Sequence, residues 1–222
     1  MVNAADVRAD IRAVCWDWNG TLLDDLHICI AVMNEVLITH GEAPLADATV
    51  YRSLFRFPLR DFYRDIGIDD DRFEGAVALY LDLLAKRADE SRLHANARRT
   101  LAEVSSLGIR QVLASATLPD LLEAQMAPHD LKGAFEVILG IEDPFRASKR
   151  DAIARWLAAS DLPAEQVLLI GDTNHDFEIA EEFGASFLHF SGGHQVHGGR
   201  SPSISSLDHL PRLLSAVRAD TR

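Results

Sequence analysis

Short, predominantly apolar runs recur along the chain, each followed by a polar residue or a glycine. They are Ile11–Trp16 (IRAVCW), Ile109–Ala114 (IRQVLA), Gln166–Ile170 (QVLLI) and Ala185–Phe190 (ASFLHF), with a weaker one at Phe135–Leu139. Runs of this length suit strands covered on both faces. Helical patterns separate them. Leu101, Val104 and Leu107 precede a stop at Gly108, Pro119 opens LLEAQM, and Ile153, Trp156 and Leu157 share one face before Pro163. The alternation predicts an α/β fold: a parallel sheet with helices on both faces.

Residues 25–91 break that alternation. Leu26, Ile30, Met33 and Leu37 form a helical stripe ended by Gly41. Further helices are expected over Asp47–Phe55, Pro58–Ile66 and about Asp71–Ala88, the last carrying Phe73, Val77, Tyr80, Leu81 and Leu84. A chain of 222 residues suits one domain carrying an insertion. The expected division is therefore a core of residues 1–24 and 92–222 and an all-helical insert of residues 25–91. Open parallel sheets bind ligands beyond the carboxyl ends of their strands. An insert leaving the first strand would hang over that crevice as a lid.

Charge narrows the partners. With 34 acidic and 22 basic residues the formal net charge is −12, which argues against a broad surface for nucleic acid or anionic lipid. A small anion can still bind, through a locally positive pocket or a metal ion. Cys15 and Cys29 form neither a disulfide framework nor a metal knuckle and read as buried free thiols. The opening segment lacks a signal-peptide pattern, and no window approaches the ~18 apolar residues of a membrane span. The expected location is the cytoplasm; oligomeric state is left open.

The chemistry sits just past the strands. Asp17-Trp18-Asn19-Gly20-Thr21 follows the first run, Ser115 the second, and Gly171-Asp172-Thr173-Asn174-His175-Asp176 the QVLLI run. Lys149 opens a helix beyond the Asp143–Pro144 turn. A lone Asp at a strand end is commonly a turn former or cap. Two carboxylate clusters, a hydroxyl and a lysine at one sheet edge suit phosphoryl transfer instead. A carboxylate can attack phosphorus, others can hold Mg²⁺, and the lysine and hydroxyl can orient the charged oxygens.

On DWNGTLLDD (17–25), Ser115, Lys149 and GDTNHD (171–176), the chain resembles the haloacid dehalogenase superfamily, in its phosphatase branch similar to phosphoglycolate phosphatases. The resemblance implies a Rossmann-like core with residues 25–91 as a small helical cap. It implies Asp17 as nucleophile and Mg²⁺ ligand, the Asn19 backbone carbonyl as a second ligand, Asp172 as a direct ligand, and Asp176 as support for the metal, directly or through water. Ser115 would hold the phosphoryl group, Lys149 would bridge nucleophile and phosphate, and Gly20 and Thr21 would shape the turn into the cap.

One position departs from the pattern. The family's phosphatases usually carry a general acid–base Asp where this chain has Asn19, and an amide releases no proton; such assistance is typically worth ~10²–10⁴-fold. His175, Asp24 and Asp25 are the candidates to move the proton instead. Arg52, Arg56, Arg60 and Arg64 recur every four residues, but Pro58 breaks the stripe, and Asp61 and Asp65 can pair with them. Arg56 is the preferred residue to reach a substrate anion from the cap. His194 and His197 lie in a glycine-rich loop that reads as the rim of the site rather than as a metal pair. Trp18 and Trp156 read as packing residues.

The expectation is a Mg²⁺-dependent phosphatase acting on a small phosphorylated metabolite through an aspartyl-phosphate on Asp17. Its rivals are a phosphotransferase or mutase of the same superfamily and a catalytically attenuated phosphate-metabolite binder. Dehalogenases of the family usually have Tyr at the Asn19 position, and the phosphonate-cleaving branch needs a cap lysine that is missing between Gly20 and Ala85. In a signalling receiver module the metal-binding acids precede the acceptor Asp; here the second cluster comes last.

Overall fold

A computed structural model of the chain describes residues 8, 10–143, 148–196, 198, 199 and 201–219. Pro144, expected in the turn ahead of Lys149, and His197 lie outside the described residues. Six parallel strands form the sheet in the order β5-β4-β1-β6-β7-β8. They are β1 (Ala13–Trp16), β4 (Arg110–Ala114), β5 (Val137–Leu139), β6 (Val167–Gly171), β7 (Ser186–Phe190) and β8 (Ser203–Ile204). The first five lie within the expected runs or one residue beyond them. The two-residue β8 was not anticipated, because a pair of residues carries no periodicity.

The strands read as mainly apolar runs because both faces are covered. Val14 and Trp16 face one way, into a cluster with Leu101, Leu113, Ile170 and Leu210. Ala13 and Cys15 face the other, against Val112, Ile153, Trp156, Leu169 and Ile179. The first layer holds α5 (Ala97–Ser106) and α9 (His209–Ala219); the second holds α7 (Lys149–Ala159) and α8 (Asn174–Phe183). Burying each Val, Leu or Ile among them stabilises the fold by roughly 1.5–3 kcal/mol. Trp18 is fully buried and Trp156 nearly so, both as packing residues.

Residues 26–85 form four helices: α1 (Leu26–Thr39), α2 (Ala48–Leu54), α3 (Leu59–Asp65) and α4 (Asp70–Ala85). Asp47 and Asp69 cap α2 and α4 by accepting backbone N–H bonds. The break between α2 and α3 at Phe55–Pro58 ends the arginine periodicity. These helices share an apolar cluster of their own, including Met33, Val36, Tyr51, Phe62, Phe73 and Val77. The chain passes to and from them through a two-stranded antiparallel ribbon, β2 (Leu23–Asp24) with β3 (Arg92–Leu93).

Register sets up the site. Trp16 lies level with Leu113 on one side and Ile170 on the other. The chain segments carrying Asp17, Ser115 and Asp172 therefore leave the sheet at one edge. No helix among the described residues is long and apolar enough to cross a membrane.

Candidate active site

Each acidic residue is placed by a local device. Asp17 follows β1, its N–H donating to Ile170 O at 2.9 Å. The chain then turns tightly: Gly20 has φ +78°, and a β-carbon there would collide with the Asp172 carboxylate. Gly193 is under the same constraint from Asp172. Asp172 follows β6, and Thr173 caps α8 in a reciprocal capping box with Asp176. That strand–turn–helix geometry brings the two acids of GDTNHD together. Ser148 caps α7, placing Lys149 in its first turn.

The result is one buried cluster. Carboxylate oxygens of Asp17, Asp172 and Asp176 lie within 4.8 Å of one another. Lys149 Nζ donates to Asp17 Oδ1 at 2.5 Å and Asp176 Oδ1 at 2.6 Å. Asp176 Oδ2 accepts from Thr173 N and Oγ1 at 3.1 and 2.7 Å. Asp172 accepts from Thr21 Oγ1 at 3.0 Å and His194 N at 2.5 Å.

The electrostatics call for a cation. Burial lifts Asp17 well above the usual carboxylate range, and Asp176 and Asp172 add to it against the pull of Lys149. Asp172 is raised by the same burial and by Asp176, though His194 opposes. Burial would also raise Asp176, but Lys149 and its hydrogen bonds bring it below normal. Lys149, which burial alone would lower, is held above its ordinary value by Asp17 and Asp176. Ionised together, the three carboxylates would exceed the one ammonium by two charges, which is why burial raises Asp17 and Asp172. A hard divalent cation with oxygen ligands fits that donor set and that deficit.

Asn19 is fully engaged. Its Nδ2 donates to Asp25 Oδ2 at 2.7 Å and Gln125 Oε1 at 3.3 Å. Its Oδ1 accepts from Thr117 Oγ1 at 2.7 Å and Ser115 Oγ at 3.2 Å. Two donors and two lone pairs exhaust a side-chain amide. Ser115 is thus tied to Asn19, two residues past Asp17, and its hydroxyl also lies 2.8 Å from Thr117 Oγ1.

A second buried ion pair backs the first. His194 Nε2 lies 3.0 Å from Asp25 Oδ1, and its Nδ1 lies 3.2 Å from the Tyr51 hydroxyl. Burial would lower His194, but Asp25 raises it to about 9, so the ring is an imidazolium at neutral pH. Asp25 in turn is lowered despite its burial, chiefly by His194 and then by Asn19. Cys29, a free buried thiol like Cys15, donates to Asp25 at 3.5 Å. Asp25, Cys29 and His194 have ligand-type atoms within 4.8 Å of one another, yet the hydrogen bonds already satisfy this group.

Of the proposed proton carriers, Asp24 is exposed and Asp25 is locked in its ion pair. His175 stacks on Phe57 at 4.6 Å and is lowered by burial and by Lys149, leaving a neutral ring. Arg56 is not brought to the cluster: it is half exposed and paired with Asp65 at 2.7 Å. Arg60 instead borders the cavity that opens from Asp17, Lys149 and Asp172, which has a volume of about 590 Å³. His194, read as part of the rim, donates its N–H to Asp172, whereas Thr117 and Tyr51, which contact Asn19 and His194, were missed. Thr117 had a signal, a second hydroxyl two residues beyond Ser115. The Tyr51–His194 pairing, across 143 residues, had none.

Residues 14–190 match the haloacid dehalogenase-like hydrolase family, and the chain belongs to it. It is 26% identical over 174 residues to the tyrosine-protein kinase PtkA of Mycobacterium tuberculosis, covering 78% of this chain. The chain spans 60% of the length of that kinase. It is 24% identical over 216 residues to a phosphoglycolate phosphatase of Pseudomonas putida, covering 91% of this chain and 78% of that protein. In fold it is similar to a haloacid dehalogenase-like family protein from Streptococcus pneumoniae, with a TM-score of 0.76 at 24% identity over 91% of this chain and 98% of that one.

Proposed function

We propose that the chain is a Mg²⁺-dependent phosphatase hydrolysing a small organic phosphate monoester through an aspartyl-phosphate on Asp17. The observation that carries this reading is Lys149 bridging Asp17 and Asp176 within a buried three-carboxylate cluster at the sheet edge. Asp17, Asp172, Asp176 and the Asn19 backbone carbonyl would hold the ion. When bound it would neutralise the carboxylates and the phosphoryl oxygens. Asp17 attacks phosphorus, and the bond to the leaving oxygen breaks. Lys149 steadies the charge on the phosphoryl group, and Ser115 orients it. Water then attacks phosphorus and releases Asp17 and inorganic phosphate. Residues 25–91 act as the cap that excludes bulk water, over a core of residues 1–24 and 92–222. On this reading the partner is a phosphorylated metabolite in the cytoplasm, with no nucleic acid or membrane involved.

Asn19 favours one second reading. With its amide fully engaged, it cannot activate water, so the phospho-enzyme is long-lived and available to another acceptor hydroxyl. Similarity to a tyrosine-protein kinase supports phosphotransfer in the same sense. Phosphate release from a panel of phosphomonoesters, with Mg²⁺ and with chelator, tests both beside an Asp17→Asn control. Metal-dependent release lost in the control supports the phosphatase; a phospho-protein that decays only on adding an alcohol supports the transferase. Full release by Asp17→Asn would sink the mechanism.

A further inference from the structure

The cavity that begins at Asp17, Lys149 and Asp172 continues between the helices of residues 26–85. At about 590 Å³ it far exceeds a phosphoryl group and falls among sites for drug-sized molecules. Its far walls are Phe55, Phe57, Phe62, Val77, Leu81 and Leu84. Of the polar side chains beside them, Tyr51 is partnered by His194 and Cys29 by Asp25. The arginines that could meet a second anion are engaged elsewhere. Arg60 lies 4.3 Å over the Phe73 ring and 3.5 Å from Asp70, Arg56 pairs with Asp65, and Arg52 donates to Gly192 O at 2.8 Å. A carboxylate seated among those six apolar side chains would lose its water against hydrocarbon, which is strongly unfavourable.

Leaving-group chemistry points the same way from a separate observation. Asn19 has neither a proton to give nor a free hydrogen-bonding atom. The site therefore favours an oxygen that departs as a stabilised anion, a phenolate before an alkoxide.

Resting on the phosphatase reading above, we infer that the substrate is an aryl phosphate monoester without a second anionic group, its ring seated among the helices. In the first step Asp17 forms a bond to phosphorus while the bond to the aryl oxygen breaks, the electron pair leaving on the phenolate, which takes a proton from solvent. In the second, water adds to phosphorus, the bond to Asp17 breaks, and water's proton returns to solvent.

The test compares phenyl phosphate with 2-phosphoglycolate for phosphate release in Mg²⁺, and phenylphosphonate with phosphonoacetate for binding by calorimetry. We expect kcat/KM and affinity to favour the aryl compounds by about tenfold or more. Val77→Trp, which fills the cavity from α4, is expected to lower kcat/KM for phenyl phosphate by about tenfold or more. The wild-type comparisons decide the matter if that variant does not fold. Preference for the carboxylated compounds, with phosphate released, would overturn the substrate class and leave the phosphatase standing. Selective binding of phenylphosphonate with no release from any ester would uphold the aryl ligand and overturn the phosphatase.

Discussion

The side-chain amide of Asn19 donates to Asp25 Oδ2 at 2.7 Å, tying the turn after Asp17 to the residue that opens the helical segment. Asp25 is fully buried and already balanced by His194. A carboxylate at position 19 would therefore face another across a hydrogen-bond distance, with no cation left over. The departure at Asn19 and the Asp25–His194 pair belong together.

Asn19→Asp is expected to destabilise the fold by about 1–3 kcal/mol rather than simply restore an acid–base group, because it turns a buried donor into an acceptor. Adding Asp25→Asn should recover part of that loss. Urea melts in a double-mutant cycle measure it, with a coupling of at least about 1 kcal/mol expected; strict additivity would contradict the pairing.

Lys149→Ala should cost about 3–5 kcal/mol in metal-free buffer, since it strands Asp17 and Asp176 without their ammonium. The side chain is 5% exposed, so solvent screening relieves little of this. Equilibrium unfolding gives the number, and a loss under about 1 kcal/mol would mean the bridge is not holding the cluster.

For Asp172→Asn the sign is opposite. Burial among carboxylates raises Asp172, so its negative charge weakens the metal-free fold, and the amide should stabilise it. The same change should remove any gain from Mg²⁺, which in the parent chain would reach about 2.7 kcal/mol at a hundred times Kd. Thermal melts with Mg²⁺ and with chelator read both effects, and equal metal responses in the two proteins would argue against Asp172 as a ligand.

Among the described residues, contacts that hold the helical segment against the core include Tyr51 to His194, Arg52 to Gly192 O, Val196 N to Arg52 O, Phe55 on His194, and Phe57 on His175 in α8. Tyr51→Phe removes one hydroxyl contact, worth about 0.5–1.5 kcal/mol. It should speed hydrogen exchange in residues 26–85 while leaving the central strands protected. Binding of phenylphosphonate should slow that exchange in the parent chain; an unchanged pattern would count against a lid that opens and closes.

Much of this molecule was legible in its residue order. Short, mainly apolar runs alternating with helical patterns point to strands covered on both faces, and a parallel sheet delivers whatever follows each strand to one edge. That reasoning selects Asp17, Ser115 and Asp172 from the residue order, while Asp176 came from the family resemblance and is brought back to Asp172 by the Thr173 capping box. These signals are local, set by periodicity and by the first turn of a helix.

Only the tertiary structure decided the remainder. Asn19 reads as a lost acid until Asp25, Ser115, Thr117 and Gln125 close around it. The charge on His194 depends on Asp25, 169 positions away. Arg56 and Arg60 occupy equivalent places in a four-residue pattern, yet the break at Pro58 turns one toward Asp65 and sets the other at the cavity edge. Such pairings follow from how separate elements cross in space, and a side chain's role in a buried network is fixed by partners that sequence spacing does not encode.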